Sequence, residues 1–506
     1  MKFMSRGANS LRAGSYVVLP VVVLFGSVLA FSGCRVGPKY KRPDLPTAPA
    51  ATYKEAQPGD PLAQANGWHM ANPQDEMLRG KWWEVFGDPD LNALEEKLVI
   101  NNQNIKQYFE NYMVARALVQ GTRATLLPTI TFGPSYNAQG TGPSSTAKLS
   151  SSSSSRSYSV PFNVSWEPDL FGKIRSTIQQ EANAAQVSAA NLSNETLSEQ
   201  ASLAQYYFEL RGQDALVALY DKTIASYTES LRLTQTLRDT GIDTDQDVAQ
   251  AETSLRTAEA NAVAVRTARA QYEHAIALLI GESASDFSLP AKEVSMKVPV
   301  VPTGVPSQLL ERRPDIAAAE RTMSEMNAEI GIGMTAFYPT ISLSAAGGTQ
   351  ASDIAKLANI GARFWSLGGS ISETVLNFGA RGAVIRGYKA QYDASVAGYR
   401  QTVLNAFKEV EDYLVANRQL AEQTGREQLA VDAAQRYEQL ATTRYRTGID
   451  TYLNVLTAQN SLFNAQQSMV TLKTNQMTSA VQLITALGGG WDSTQLPTEK
   501  QVASRK

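Results

Sequence analysis

The strongest constraint on this chain is a duplication. Thr240-Gly241-Ile242-Asp243-Thr244 recurs as Thr447-Gly448-Ile449-Asp450-Thr451, an offset of 448 − 241 = 207 residues. Phe171 and Phe378, Ala251 and Ala458, Leu255 and Leu462, and Gly281 and Gly488 keep the same offset, so this stretch repeats without a gap. Upstream, Leu127-Pro128-Thr129-Ile130 matches Tyr338-Pro339-Thr340-Ile341 at 339 − 128 = 211, so the loops between differ in length by four residues. Self-similarity over such a distance sets the architecture before any single element does.

Each half reads in the same order, with repeat 1 spanning 96–290, a linker 291–308, repeat 2 spanning 309–490 and a tail 491–506. A helical stretch (Leu98 to Thr125, then Leu309 to Ala336) leads into two strand-like segments and then two long helices. Gly172 to Arg238 and Arg381 to Arg446 contain no proline and read as single helices of roughly 100 Å at about 1.5 Å per residue. No compact domain needs helices of that length. Each ends at a Thr-Gly pair, where Gly241 or Gly448 can take the left-handed conformation that stops a helix. The returning helices carry apolar residues at steps of three and four: Val248, Ala251, Leu255, Ala258, Ala262, Val265, Tyr272, Ile276 and Leu279, broken only at Arg269, and then Val455, Ala458, Leu462, Ala465, Met469 and Leu472. Alanine at many of these positions permits close helix approach, while Gln, Asn, Ser and Thr elsewhere leave a face that tolerates water.

The strand-like segments alternate. Tyr158, Val160, Phe162, Val164 and Trp166 interleave with Ser157, Ser159, Pro161, Asn163 and Ser165, a period of two that puts the large apolar groups on one face. Ile130, Phe132 and Tyr136 follow the same rule, as do Ile341, Leu343 and Ala345, and then Trp365, Leu367 and Ile371 until Glu373 interrupts. Four strands are expected. The apolar face suits either a protein core or lipid, and periodicity alone does not choose. The Ser-, Gly- and Thr-rich tract from Gly140 to Ser155 favours lipid, because it suits a loop reaching into solvent beyond a membrane. Four strands cannot enclose a lumen, since membrane barrels begin at about eight, and unpaired edges cannot face hydrocarbon. Several copies must therefore share one barrel.

The N-terminus places the chain in the envelope. Lys2, Arg6 and Arg12 precede an apolar run from Tyr16 to Phe31, which reads as an export signal over 1–33 rather than a spanning helix, being short of about 20 apolar residues and interrupted by Pro20. Cys34 is the only cysteine, which excludes an intrachain disulfide and a multi-cysteine metal site. The 46 basic and 48 acidic side chains nearly cancel, so nothing points to nucleic acid. With only His69 and His274, no Gly-rich phosphate loop and no nucleophile beside an evident base, an enzyme is disfavoured. A non-conducting coiled-coil stalk would account for the heptads but not for the strands.

Phe31-Ser32-Gly33-Cys34 resembles a bacterial lipobox, with Phe31 where Leu is usual. The resemblance implies diacylglycerol and an N-acyl lipid on Cys34 and no other cofactor. Arg35 in the sorting position implies the outer membrane, and the alternative is an ordinary signal peptide with an incidental cysteine. Cys34-Arg35-Val36-Gly37-Pro38-Lys39-Tyr40-Lys41-Arg42-Pro43, Trp82-Trp83-Glu84-Val85-Phe86-Gly87-Asp88-Pro89 and Leu309-Leu310-Glu311-Arg312-Arg313-Pro314-Asp315-Ile316 resemble landmarks of the outer-membrane factor family, the TolC-like exit ducts of efflux pumps. Residues 34–95 then form a lipidated, extended N-terminal segment. The resemblance implies a mixed α and β fold: a homotrimer closing a twelve-stranded outer-membrane β-barrel, four strands from each protomer, continued by a periplasmic α-helical barrel. It implies a periplasmic adaptor (a membrane fusion protein) docking at Thr240, Gly241, Thr447 and Gly448, and an inner-membrane pump of the resistance-nodulation-division type. A duct for type I protein secretion is the alternative within this class.

A gate is expected at the turns. Asp239, Asp243, Asp245, Asp247 and Asp450 cluster there, and rings of carboxylates around a symmetry axis favour cations, although aspartates after a turn also cap helices. The resemblance implies a lock between Tyr445 and Asp247. It also marks departures: Asn454 and Thr457 stand where some relatives have an aspartate pair, and Asp450 where they have a locking arginine.

Overall fold

The structure, a computed structural model, describes residues 35–44, 53–55, 80–141, 153–292, 298–299 and 312–504. The signal segment, Cys34, His69 and most of the 291–308 linker lie outside the described residues.

Two helices set the scale. α3 (Lys173–Asp239) and α6 (Ala380–Arg446) each run 67 residues without a break, and each starts after a glycine at positive φ, Gly172 and Gly379. The returning helices α4 (Asp245–Leu279) and α7 (Tyr452–Ala486) are 35 residues each, about half that length. The remaining length is flanked by shorter helices, α1 (Pro89–Asn101) and α2 (Gln103–Ala124) in one half and α5 (Pro314–Thr335) in the other. α3 packs against α2, α4, α5 and α7, and α6 against α5 and α7.

The returning helices abut the short ones end to end. Leu279, closing α4, offers its carbonyl to Asn102 Nδ2 at 2.9 Å, and Ala486, closing α7, accepts from Arg313 Nη1 at 3.0 Å. At each junction stands a glycine at positive φ, and a Cβ there would meet backbone: Gly281 against the Asn101 carbonyl oxygen at 2.6 Å, Gly488 against that of Arg312 at 1.9 Å. Only glycine lets the helix ends meet so closely.

The helical stretch expected from Leu98 to Thr125 is two helices. Asn102 sits in extended conformation between α1 and α2, its side chain accepting from Ile105 N at 3.0 Å as an N-cap. Arg269, the break in the heptad, is also accounted for: its guanidinium meets Asp214 at 2.6 Å, Glu273 at 3.2 Å and the Leu289 carbonyl at 2.5 Å. Of the expected seam, Ala251, Leu255, Ala258, Ala262 and Ile276 of α4 and Val455, Ala458, Met469 and Leu472 of α7 are buried. The largest apolar cluster lies at mid-length of α3, where Leu203, Tyr207, Phe208 and Leu210 meet Trp82, Trp83, Leu91 and Leu98. Beside it, Arg211 is 1% exposed and pairs with Asp214 at 2.9 Å.

One antiparallel sheet holds β1 (Thr129–Phe132), β2 (Ser135–Thr141), β3 (Ser153–Trp166), β4 (Thr340–Ala351) and β5 (Arg363–Ser372), in the order β1-β3-β4-β5 with β2 also on β3. The first expected strand is thus split at Gly133-Pro134. The split lies opposite Pro161, between the pairs Phe132↔Phe162 and Ser135↔Ser159, where a nitrogen without hydrogen cannot serve the ladder. Among the described residues, neither end of the sheet is paired. Register puts Ile130, Val164, Ala345 and Leu367 in one row and Phe132, Phe162, Gly347 and Trp365 in the next, all on one face. The other face carries rows such as Thr131, Asn163, Ala346 and Ser366. Glu373 lies just past β5 and pairs with Arg381 at 2.8 Å, which is why the alternation stops there.

Arg35 sits at the junction of sheet and helices: Val36 N donates to the Phe171 carbonyl at 3.2 Å, and Arg35 Nε to Ser176 Oγ at 3.3 Å. The segment then follows α5 and α6, tied by Tyr40 to Glu320 at 2.9 Å, Arg42 to Tyr399 at 2.7 Å and Arg418 to Glu55 at 2.6 Å.

Candidate gate at the helix turns

Both turns are built alike. Gly241 (φ +80°) and Gly448 (φ +71°) follow Thr240 and Thr447, and the next amides reach back, Ile242 N to the Leu237 carbonyl and Ile449 N to the Arg444 carbonyl, each at 2.9 Å. This is the Schellman closure, which satisfies carbonyls the helix end would leave orphaned. Ile242 and Ile449 stand 64% and 67% exposed at the two turns.

The structure assigns the aspartates different work. Asp247 forms a capping box: its carboxylate accepts from Thr244 N at 3.2 Å and Thr244 Oγ1 at 2.6 Å, while Thr244 Oγ1 accepts from Asp247 N at 3.3 Å. Asp245 and Asp239 pair with Arg238 at 3.0 and 2.8 Å. Asp450 accepts from Thr451 N at 2.9 Å, from Arg444 Nε at 3.2 Å and from Asn454 Nδ2. The Asn454 bond, then the Thr451 amide and Arg444, hold its carboxyl below the usual range.

Tyr445 is 3% exposed and donates its hydroxyl to Asp243, not to Asp247 as the resemblance implied. The capping box already engages Asp247, and Asp243, held in the turn, is the carboxylate within reach. Thr234 Oγ1 lies 3.1 Å from the same hydroxyl. Burial, reinforced by the Asp243 carboxylate, raises the Tyr445 phenol well above its ordinary value and keeps it protonated as a donor. One contact therefore joins the end of α6 to the turn between α3 and α4.

A second tier stands above it. Tyr227 Oη donates to Asn460 Oδ1 at 2.9 Å, and Gln459 Nε2 to Ser230 Oγ at 2.9 Å, both bonds joining α3 to α7. Sequence reasoning passed over these residues. Their signal was available: Tyr227, Ser230 and Thr234 follow steps of three and four along one face of α3.

A split, open-ended sheet with one apolar face, carried on helices of this length, is the architecture of an outer-membrane channel protein. The sequence matches the family described as outer membrane efflux protein over residues 94–282 and 305–489. The chain belongs to that family, one of channel proteins rather than enzymes, and it is an outer-membrane protein whose helices extend into the periplasm. It is 33% identical over 469 residues to the toluene efflux pump outer membrane protein TtgC of Pseudomonas putida, covering 92% of this chain and 95% of that one. Against the cation efflux system protein CusC of Escherichia coli it is 28% identical, covering 92% and 98%. The solved structure of the outer-membrane channel OprN superposes with a TM-score of 0.80 at 28% identity, over 90% of this chain and 100% of that one. Its role as an efflux channel follows from that membership.

Proposed function

We propose that three copies close a single twelve-stranded barrel, and that the assembly is a passive, gated exit duct for small toxic molecules. The observation that carries this reading is the sheet with both edges unpaired among the described residues. Such edges are untenable in hydrocarbon unless another copy completes the ladder. The outward rows suit lipid, and the opposite face, lined by Ser, Thr, Asn, Gln, Gly and Ala apart from Pro161 and Phe364, suits a wet lumen without charge. Counting β1 and β2 as one broken strand, each protomer contributes four. The internal repeat then supplies each protomer with two matching halves of the tunnel.

Cys34 carries the lipid in this reading. Its neighbour Arg35 stands where sheet gives way to helix, beside Phe171, Gly172 and Ser176, the depth at which acyl chains would enter the inner leaflet of the outer membrane. The turns at Thr240-Gly241 and Thr447-Gly448, with Ile242 and Ile449 exposed, receive a periplasmic adaptor that loosens the Tyr445 and Asp243 contact. Energy comes from an inner-membrane pump of the resistance-nodulation-division type.

Two measurements test this. Reconstituted protein should give discrete conductance and migrate as a trimer after cross-linking between cysteines introduced at β1 and β5; a monomer that passes no current would defeat the proposal. Deletion with complementation, scored against antibiotics, dyes, detergents, metal salts and secreted proteins, should sensitise cells to small molecules and leave protein export intact.

A further inference from the structure

The five strands contain two charged residues, both arginine: Arg156 in β3 and Arg363 opening β5. Both fall on the apolar face. Arg363 shares a row with Thr349 and Val160, and Arg156 pairs with Ala138 one row beyond Tyr158, Tyr136 and Ala351. Solvation alone would favour the other face, whose paired rows hold no charged side chain. An arginine among lipid-facing residues is costly at the bilayer midplane and cheap only near the interface.

Arg156 stands at the height of the interface, and Arg363 two rows below it. Measured from the row shared by Trp166, Leu343 and Gly369, Arg156 lies ten residues and Arg363 six residues along their strands, which at about 3.3 Å per residue and a tilt near 40° gives roughly 25 Å and 15 Å of rise. An outer-membrane barrel's apolar band is about 25 Å tall and bounded by aromatic girdles. Tyr136 and Tyr158, with ring centroids 4.8 Å apart, make such a girdle just below Arg156. Both arginines are exposed, and neither pairs with an acidic side chain among the described residues. Arg363, two rows lower in the register, opens β5, and its long stem can run past the start of the strand toward headgroup depth.

We infer that Arg156 and Arg363 form a binding surface for phosphate-bearing lipid headgroups of the outer leaflet. The planar guanidinium matches a phosphate in a two-point contact that a water-facing role would not need. The inference rests on the membrane orientation proposed above.

The test places the assembled channel in phosphatidylcholine nanodiscs titrated with bisphosphorylated lipid A or with its dephosphorylated form, and bound lipid is counted by native mass spectrometry. Wild type should retain the phosphorylated form preferentially, with about fivefold lost per arginine removed, and the double variant Arg156→Gln with Arg363→Gln should lose the preference while remaining assembled and conducting. Equal retention of both forms by wild type, or a preference that survives in the double variant, overturns the inference. Failure of the wild type to enter the bilayer or conduct would instead defeat the orientation on which it rests.

Discussion

Replacing Tyr445 with Phe removes one hydroxyl from a buried ring and breaks the contact with Asp243 while leaving the packing against Tyr452 in place. A hydrogen bond to a charged partner contributes about 1.5–3 kcal/mol. Asp243 is only half-buried, so water recovers part of the loss and the lower figure applies, about 1.5 kcal/mol per protomer. If the protomers release independently, the open population of each rises about tenfold. If three release together, the sum of about 4.5 kcal/mol shifts the gate by roughly a thousandfold. Single-channel recording in planar bilayers separates these cases by open probability. Asp243→Ala should match Tyr445→Phe, and the double variant should add little to either, the coupling expected of residues in one contact. Asp247→Ala is the control: it removes a helix cap, costing about 0.5–2 kcal/mol in stability, and should leave the conductance of folded channels unchanged. A Tyr445→Phe channel indistinguishable from wild type, or an Asp247→Ala channel as open as Asp243→Ala, would refute this assignment.

Three further outcomes follow from contacts away from the turns. Asp214→Ala strips both Arg211 and Arg269 of their shared buried carboxylate while Asp90 and Glu273 remain beside them, and should cost about 1–3 kcal/mol, read as a lower thermal midpoint with unchanged conductance in whatever remains folded. Gly488→Ala must hold φ near +97° with its Cβ against the Arg312 carbonyl oxygen; the backbone conformation alone costs about 1–2 kcal/mol, so a midpoint equal to wild type would contradict the close junction of α7 and α5. Burial, and behind it the Glu329 and Glu181 carboxylates, push Glu325 from an ordinary 4.5 up to about 7. Between those values the folded state binds more protons than the unfolded one, so this contribution is fully present below about 4.5 and is lost as pH rises through 7. Glu325→Gln should flatten the thermal midpoint against pH across that window, and an unchanged slope would remove the assignment.

How much of this could be read from sequence depended on whether a single physical rule governed each residue. The long helices were legible because missing proline and sustained spacing act over dozens of positions, and α3 and α6 begin and end within two residues of where Gly172 to Arg238 and Arg381 to Arg446 placed them. The strand faces were legible because a period of two leaves no other arrangement. Asn102 was missed because an asparagine inside an apolar, periodic run reads as a tolerated helix residue, and only its extended backbone reveals a cap. Arg269 looked like a defect because its partners, Asp214 and Leu289, come from segments the heptad does not describe.

The candidate gate shows the same limit at its sharpest. Thr244 and Asp247 stand three apart at a helix start, which is the spacing of a capping box, and that local rule claims Asp247 whatever else lies nearby. Asp243 sits one residue before the cap, where no helical amide competes for its carboxylate, so a donor arriving from another part of the chain can have it. Tyr445 is that donor, 445 − 243 = 202 residues away in sequence. A cap binds its own helix and cannot report whether two hairpins are together or apart, whereas a bond between hairpins must break when they separate. A carboxylate free of local duty is therefore the one able to serve as a latch, and on that ground Asp243 rather than Asp247 is the residue through which opening should be felt.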